Sequence, residues 1–193
     1  MARHKGDHEA RRRDVSAAVW RVLAAQGFGG LTLRAVAAEM GATTGLLTHY
    51  FPSKKDLVAH ALTLLDERHA ARPRRSAPEG LAALRAVLAD ILPLTPEAAA
   101  SNRIWVSSWD AALADEEVAA GHAGRYGRSR ERIAGHVAVA QELGELAPCD
   151  PEGVAARVQS FVLGLVVQAL LDPAAFPPER QLALLDAELA ALT

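Results

Sequence analysis

The stretch LTLRAVAAEMGATTGLLTHYFPSKKDL, residues 31–57, decides the fold. Thr32 is placed to cap a helix from Leu33 to Met40, and Gly41 to end it as the left-handed residue that follows a helix C-terminus. Thr43 or Thr44 then caps a very short helix through Tyr50, which Pro52 breaks. Ser53, with Asp56 three residues on, opens another helix by the capping-box spacing. Leu57, Ala61, Leu64 and Leu65 keep one face of it apolar to about Arg72. A short helix, a glycine-led turn and a second short helix make a helix-turn-helix unit. Such a unit cannot bury its own apolar faces, so a third helix must support it. Residues from about Glu9 to Gln26 supply one, with Val15, Val19, Val22 and Leu23 at helical spacing. In this geometry the second helix of the pair enters the major groove, its N-terminal residues toward base edges. Those residues are Thr43, Thr44 and Gly45, small enough for the backbone to come close.

Lys54 and Lys55 fall at the first two positions of a helix, where the macrodipole disfavours each cation by about 0.3–1 kcal/mol. A DNA phosphate at that terminus would turn the misplacement into a binding site; two exposed lysines at little cost are the plainer alternative. The charge balance points the same way. Residues 1–55 hold nine Lys/Arg against four Asp/Glu, while residues 56–193 hold twelve against nineteen. A basic head on an acidic body places the polyanion partner at the head. The N-terminal RHK and the run Arg11–Arg13 read as a flexible basic arm adding backbone contacts. The glycines of GFGG (27–30) follow no strand and lack the third glycine of a dinucleotide fingerprint, so they read as a turn.

The rest of the chain is helical. RPRRSAPEG (72–80) is the clearest linker. Segments near 79–92, 97–114, 116–144, 151–171 and 178–191 are punctuated by Pro93/Pro96, Pro148/Pro151 and Pro173/Pro177/Pro178. The expected fold is all-α with about nine helices: a three-helix DNA-binding domain over 1–55 and a helical bundle over 56–193. The single cysteine, Cys149, allows neither an internal disulfide nor a cysteine metal cluster. The N-terminus has no apolar signal region, and the most apolar run, FVLGLVVQALL (161–171), is too short to span a bilayer. A soluble cytoplasmic protein with no membrane association is expected, and no metal or cofactor.

The segment 31–58 resembles the TetR family of transcriptional regulators. Thr32, Val36, Ala37, Gly41, Gly45, Tyr50, Phe51, Lys54 and Leu57 all fall in that family's register. The resemblance implies DNA contacts at Arg34, Thr43, Thr44, Gly45, Thr48, His49 and Lys54. Thr48 stands where the family usually has an aromatic, which implies a shorter contact there. Tyr50 and Phe51 read as packing residues.

In the body, the helix 151–171 is apolar nearly all round, which implies burial on more than one side. Leu182, Leu185, Leu189 and Leu192 fall at a 3–4–3 spacing, a seam for a partner helix. Val158, Phe161, Val162 and Leu165 with Leu182, Leu185 and Leu189 are the expected homodimer interface, and a dimer meets the need of helix-turn-helix proteins for two half-sites. Trp105, Ser108, Trp109 and Ala112 share one helical face, and His122 and Tyr126 follow on the next helix. The stripe reads either as core or as the wall of a small-ligand pocket, mostly apolar with few polar groups. The run from Ile104 to Ile133, with residues 164–189, resembles the C-terminal domain of BetI-type repressors. That resemblance implies a small-molecule effector, and a quaternary ammonium against Trp105, Trp109 and Tyr126 is one such chemistry.

The expected function is therefore a DNA-binding transcriptional regulator, a repressor released from its double-stranded operator by a small-molecule effector. A protein of the same fold without an effector is the alternative. An all-α enzyme is the remaining class, but no nucleophile elbow, metalloprotease helix, phosphate loop or spaced carboxylate pair is present, and no catalytic residue is assigned.

Overall fold

The computed structural model describes residues 2–71, 75 and 79–192; the side chains of residues 2–9, 69 and 70 lie outside the description. Among the described residues there are ten α-helices and no strands: α1 (Ala2–Gln26), α2 (Leu33–Glu39), α3 (Thr44–Tyr50), α4 (Lys54–Ala70), α5 (Gly80–Ala89), α6 (Pro96–Ser107), α7 (Trp109–Ala114), α8 (Glu116–Glu142), α9 (Pro151–Leu171) and α10 (Pro178–Ala190). The chain divides into two compact units, residues 1–72 with 103–118, and residues 73–102 with 119–193.

The first unit is built on α1. Val15, Ala18, Val19, Val22 and Leu23 form its buried stripe, and Leu31, Val36, Leu47, Phe51, Leu57, Ala61 and Leu65 close over it from the following helices and their connections. The helix begins earlier than expected. It starts at Ala2 rather than at about Glu9, and Arg11–Arg13, which the sequence placed both in that helix and in a basic arm, are helical, as Arg and Ala favour. The turn 27–30 is as expected: Gly27 has φ +63° and Phe28 inserts into the core.

The expected helix 97–114 is instead two. Ser108 is fully buried with its hydroxyl donating to the Trp105 carbonyl at 2.6 Å, and the path changes there from α6 to α7. Counted as one interrupted helix, α6 and α7 account for the difference between nine and ten. Residues 103–118 belong to the first unit, where Ile104 is core and Trp105 and Ala112 pack on it. Ser107 fixes the contact: its hydroxyl accepts from the Phe28 amide at 3.2 Å and donates to the Ile104 carbonyl at 2.7 Å. The linker expected at 72–80 falls largely outside the described residues; Arg75 is bonded through its amide and guanidinium to Asp90.

The second unit is a bundle. Leu84 and Leu88 of α5, Ile133, Val137 and Ala140 of α8, Ala155, Val158, Val162 and Leu165 of α9, and Leu185 and Leu189 of α10 are buried. Arg85 chelates Asp186 with two nitrogens, and Arg157 reaches Glu188 at 2.8 Å, so ion pairs hold α10 to both α5 and α9. Asp150 caps α9 by accepting from the Glu152 and Gly153 amides.

α9 is long and apolar enough by length and composition to cross a membrane, and 39% of that span is buried inside the protein. Its buried part is bundle core. The rest of its apolar surface, Phe161, Leu163, Val167 and Leu170, is half-buried, and Leu171 is 82% exposed.

Candidate nucleic-acid interface

The geometry of α2 and α3 follows from their caps. The Thr32 hydroxyl accepts from the Ala35 amide at 3.0 Å, and Gly41, at φ +61°, ends α2 in the left-handed conformation. Thr43 is the extended N-cap of α3, yet its side chain makes no capping bond. Leu47 is fully buried and Leu46 and Tyr50 pack on the core, so the opposite face of α3 is fixed outward. Thr43, Thr44, Gly45, Thr48 and His49 lie on it, all exposed, and Arg34 on α2 is exposed as well. A Cβ at Gly45 would meet only the Thr43 hydroxyl oxygen, at 3.9 Å. Nothing inside the protein therefore requires glycine there. The Thr48 hydroxyl donates to the Gly45 carbonyl at 2.9 Å, which turns its hydrogen into the helix and leaves the oxygen as an acceptor. The His49 ring stands edge-on to Tyr50 at 5.6 Å between centroids.

The α4 terminus forms as the capping box requires. The Ser53 amide donates to Asp56 at 3.0 Å and the Asp56 amide to the Ser53 hydroxyl at 3.2 Å. Lys54 and Lys55 are thus the first two helical residues, and here they part. Lys54 is exposed. The Lys55 ammonium is bound to Glu117 and stands 3.8 Å from Asp115, at the start of α8. Its hydrogen bond to Glu117, with the charges of Asp115 and Glu117, raises its pKa. The sequence reading paired both lysines with phosphate; in this structure Lys55 instead meets an internal acidic partner, one that sequence spacing alone could not reveal across 60 residues.

Beside this face a cleft of about 200 Å³ opens between α1, α3 and α4, lined by Arg12, Val15, His49, Tyr50, Phe51 and His60. The Ser16 hydroxyl and His60 Nε2 are 3.0 Å apart, and the Phe51 ring lies tilted on the His60 ring at 5.1 Å. Burial and then the Arg12 charge lower the His60 pKa, against a smaller raising effect of Glu67. Sequence reasoning passed over His60, because a histidine on an apolar helix face carries no spacing signal of its own.

The chain matches two family models: residues 16–61 match that of the bacterial regulatory proteins of the tetR family, and residues 80–193 that of the C-terminal region of BetI-type transcriptional repressors. It is 31% identical over 178 residues to the HTH-type transcriptional regulator PksA of Bacillus subtilis (strain 168), covering 90% of this chain and 85% of that protein. The chain belongs to the TetR family of transcriptional regulators. The fold agrees. A transcriptional regulator from Rhodococcus sp. Rha1 superposes with a TM-score of 0.80 at 24% identity, over 93% of this chain and 94% of that one. A regulator from Saccharomonospora viridis, solved in complex with choline, superposes at 0.81 with 21% identity, over 93% and 95%. Membership in this family makes the chain a DNA-binding transcriptional regulator rather than an enzyme, with α2 and α3 inside the residues that match the tetR-family model.

The six residues expected to line an effector site divide between the two units of this TetR-family regulator. Trp105, Ser108, Trp109 and Ala112 belong to the first, His122 and Tyr126 to the second. His122 is buried with its ring 6.1 Å from that of Tyr126. Gln159, also buried, donates to the Tyr126 carbonyl at 3.4 Å and accepts from Arg130 at 3.3 Å. Of the seven residues expected at the dimer interface, Val158, Val162, Leu165, Leu185 and Leu189 are buried within the chain's own bundle. The leucine spacing of α10 serves packing onto α5 and α9, a use that the same seam satisfies equally well. Phe161 and Leu182 are only half-buried.

Proposed function

We propose that this protein is a homodimeric, cytoplasmic repressor that reads its operator with α3 and leaves it when a small-molecule effector binds. Thr43, Thr44, Gly45 and Thr48 face the base edges, while Arg34, His49 and Lys54 hold phosphates. The observation that carries the reading is the outward face of α3: small polar side chains, a threonine cap without a capping bond, and a glycine with no internal reason to be glycine.

The dimer reading rests on α9. A helix apolar all round, with only 39% of its apolar span inside the bundle and Leu171 left at 82% exposure, is completed by a second copy of itself. Phe161, Gly164, Val167 and Leu171, with Leu182 of α10, carry that interface in place of the five residues consumed by the bundle. Two copies also present two recognition helices to two half-sites.

The effector reading rests on the match to the BetI-type C-terminal region and on the choline held by the Saccharomonospora viridis relative. Titrating choline into the protein while following tryptophan fluorescence and operator release tests it. His122→Ala and Tyr126→Ala, both in the second unit, should each weaken the response at least tenfold. A response unchanged in both removes these residues from the effector site, and absence of any response to quaternary ammonium compounds removes that chemical class. Footprinting on DNA flanking the protein's own gene identifies the operator.

A further inference from the structure

We propose that the cleft lined by Arg12, His49, Tyr50, Phe51 and His60 seats a backbone phosphate of the bound duplex, with the Arg12 guanidinium as its permanent cation. The His60 imidazole lies at the same seat and takes up a proton as the phosphate arrives. The inference rests on the DNA-binding reading of α3 and extends it to α1 and to the middle of α4.

Three observations converge. The cleft's volume, about 200 Å³, admits a phosphate group, and among the described residues no acidic side chain lines it. Its rim is continuous with the recognition face through His49, which belongs to both. Its polar lining consists of one guanidinium, two imidazoles and a phenol, all able to donate to an anion. Arg12 is exposed on a helix, so the guanidinium is presented from a fixed backbone rather than from a loose arm.

The groups that face His60 define its response. From α1 come the Arg12 charge and the Ser16 hydroxyl; from α3 and the residue after it, His49, Tyr50 and the Phe51 ring; from α4 itself, the distant charge of Glu67. Without DNA, burial and Arg12 keep the imidazole neutral, and Ser16 satisfies one of its nitrogens. A phosphate in the cleft supplies the anion that reverses this balance, so binding and protonation are linked. One proton taken up makes affinity rise by up to about tenfold for each unit of acidification across the histidine range.

The test uses the full chain and mixed-sequence duplex DNA, whose phosphates need no operator. Binding is measured between about pH 8 and pH 6 and over a range of salt, for wild type, Arg12→Gln, His60→Gln and His49→Gln. His60→Gln should lose at least half of the acid-induced tightening, and His49→Gln, which also removes a donor from the cleft, should weaken binding throughout. Arg12→Gln should reduce the slope of log affinity against log salt by about one unit. The His60 imidazole, followed by NMR, should gain basicity with duplex DNA and not with inorganic phosphate alone at equal phosphate concentration. If the protein binds DNA but His60→Gln keeps the full pH dependence, or Arg12→Gln keeps the wild-type slope, no phosphate sits in the cleft. An equal NMR response to inorganic phosphate makes the cleft a free-anion site and overturns the assignment to DNA. If wild type binds no duplex at all, the recognition reading fails and takes this inference with it. Arg12→Gln alters only an exposed side chain, so it remains informative should His60→Gln fold poorly.

Discussion

At position 45, glycine costs a helix roughly 0.5–1 kcal/mol relative to alanine, and the free protein shows no clash that alanine would make. Gly45→Ala should therefore leave thermal stability unchanged or raise it slightly, while weakening operator binding at least tenfold in a mobility-shift titration. Equal DNA binding by the variant would mean that the duplex does not approach α3 closely. The lysines separate in the same way. Lys54→Ala should flatten the salt slope of DNA binding by about one unit, whereas Lys55→Ala, whose ammonium faces Glu117, should leave the slope unchanged. Sequence reasoning found both lysines because their position in the helix is anomalous. It could not assign them different partners, since Glu117 is distant in sequence and has no motif of its own. His60 was missed for a related reason: its meaning depends on Arg12 and Ser16, contributed by another helix.

At the scale of elements, the start of α8 carries its own pH dependence. The Asp115 carboxylate accepts from the Glu117 amide at 2.9 Å and the Val118 amide at 3.1 Å. The Val118 bond, followed by that of Glu117 and the charge of Lys55, lowers its pKa against desolvation. A lowered carboxyl contributes stability above the ordinary carboxylate range and loses it as pH falls through the folded value. Hydrogen exchange at the Glu117 and Val118 amides should accelerate below about pH 4, and Asp115→Asn, which still caps but cannot titrate, should remove that dependence. Gly27 is the second element-scale joint. At φ +63°, with a Cβ there only 3.0 Å from the Ser107 hydroxyl, Gly27→Val should cost at least about 1–2 kcal/mol by thermal unfolding. The helices α2, α3 and α4 were legible to within a residue or two because caps, Gly41 and Pro52 act locally. The break at Ser108 was not, because a serine whose hydroxyl bonds back to Trp105 looks, in sequence, like any residue of an amphipathic helix.

For the whole molecule, the family and the all-helical architecture follow from 28 residues of pattern and a run of prolines, whereas the assembly does not. The apolar positions of α9 and α10 are indistinguishable in sequence as core or interface, and five of the seven chosen residues are core. The exposed remainder makes the dimer testable. Gly164→Arg and Leu171→Glu alter solvent-facing positions, so they should preserve helicity and convert the protein to a monomer in sedimentation. Affinity for a two-half-site operator should fall at least a hundredfold, because the second recognition helix no longer comes with the first. A dimer that survives both substitutions places the interface elsewhere.

The central claim is that α3 reads sequence while Lys54 reads backbone. Selection of bound duplexes from a random-sequence pool, with wild type, Thr44→Ala and Lys54→Ala, tests it most directly. Thr44→Ala should enrich a different or relaxed sequence at the bases nearest the start of α3, and Lys54→Ala should enrich the wild-type sequence with uniformly weaker binding. Identical enrichment and affinity for all three proteins would contradict it.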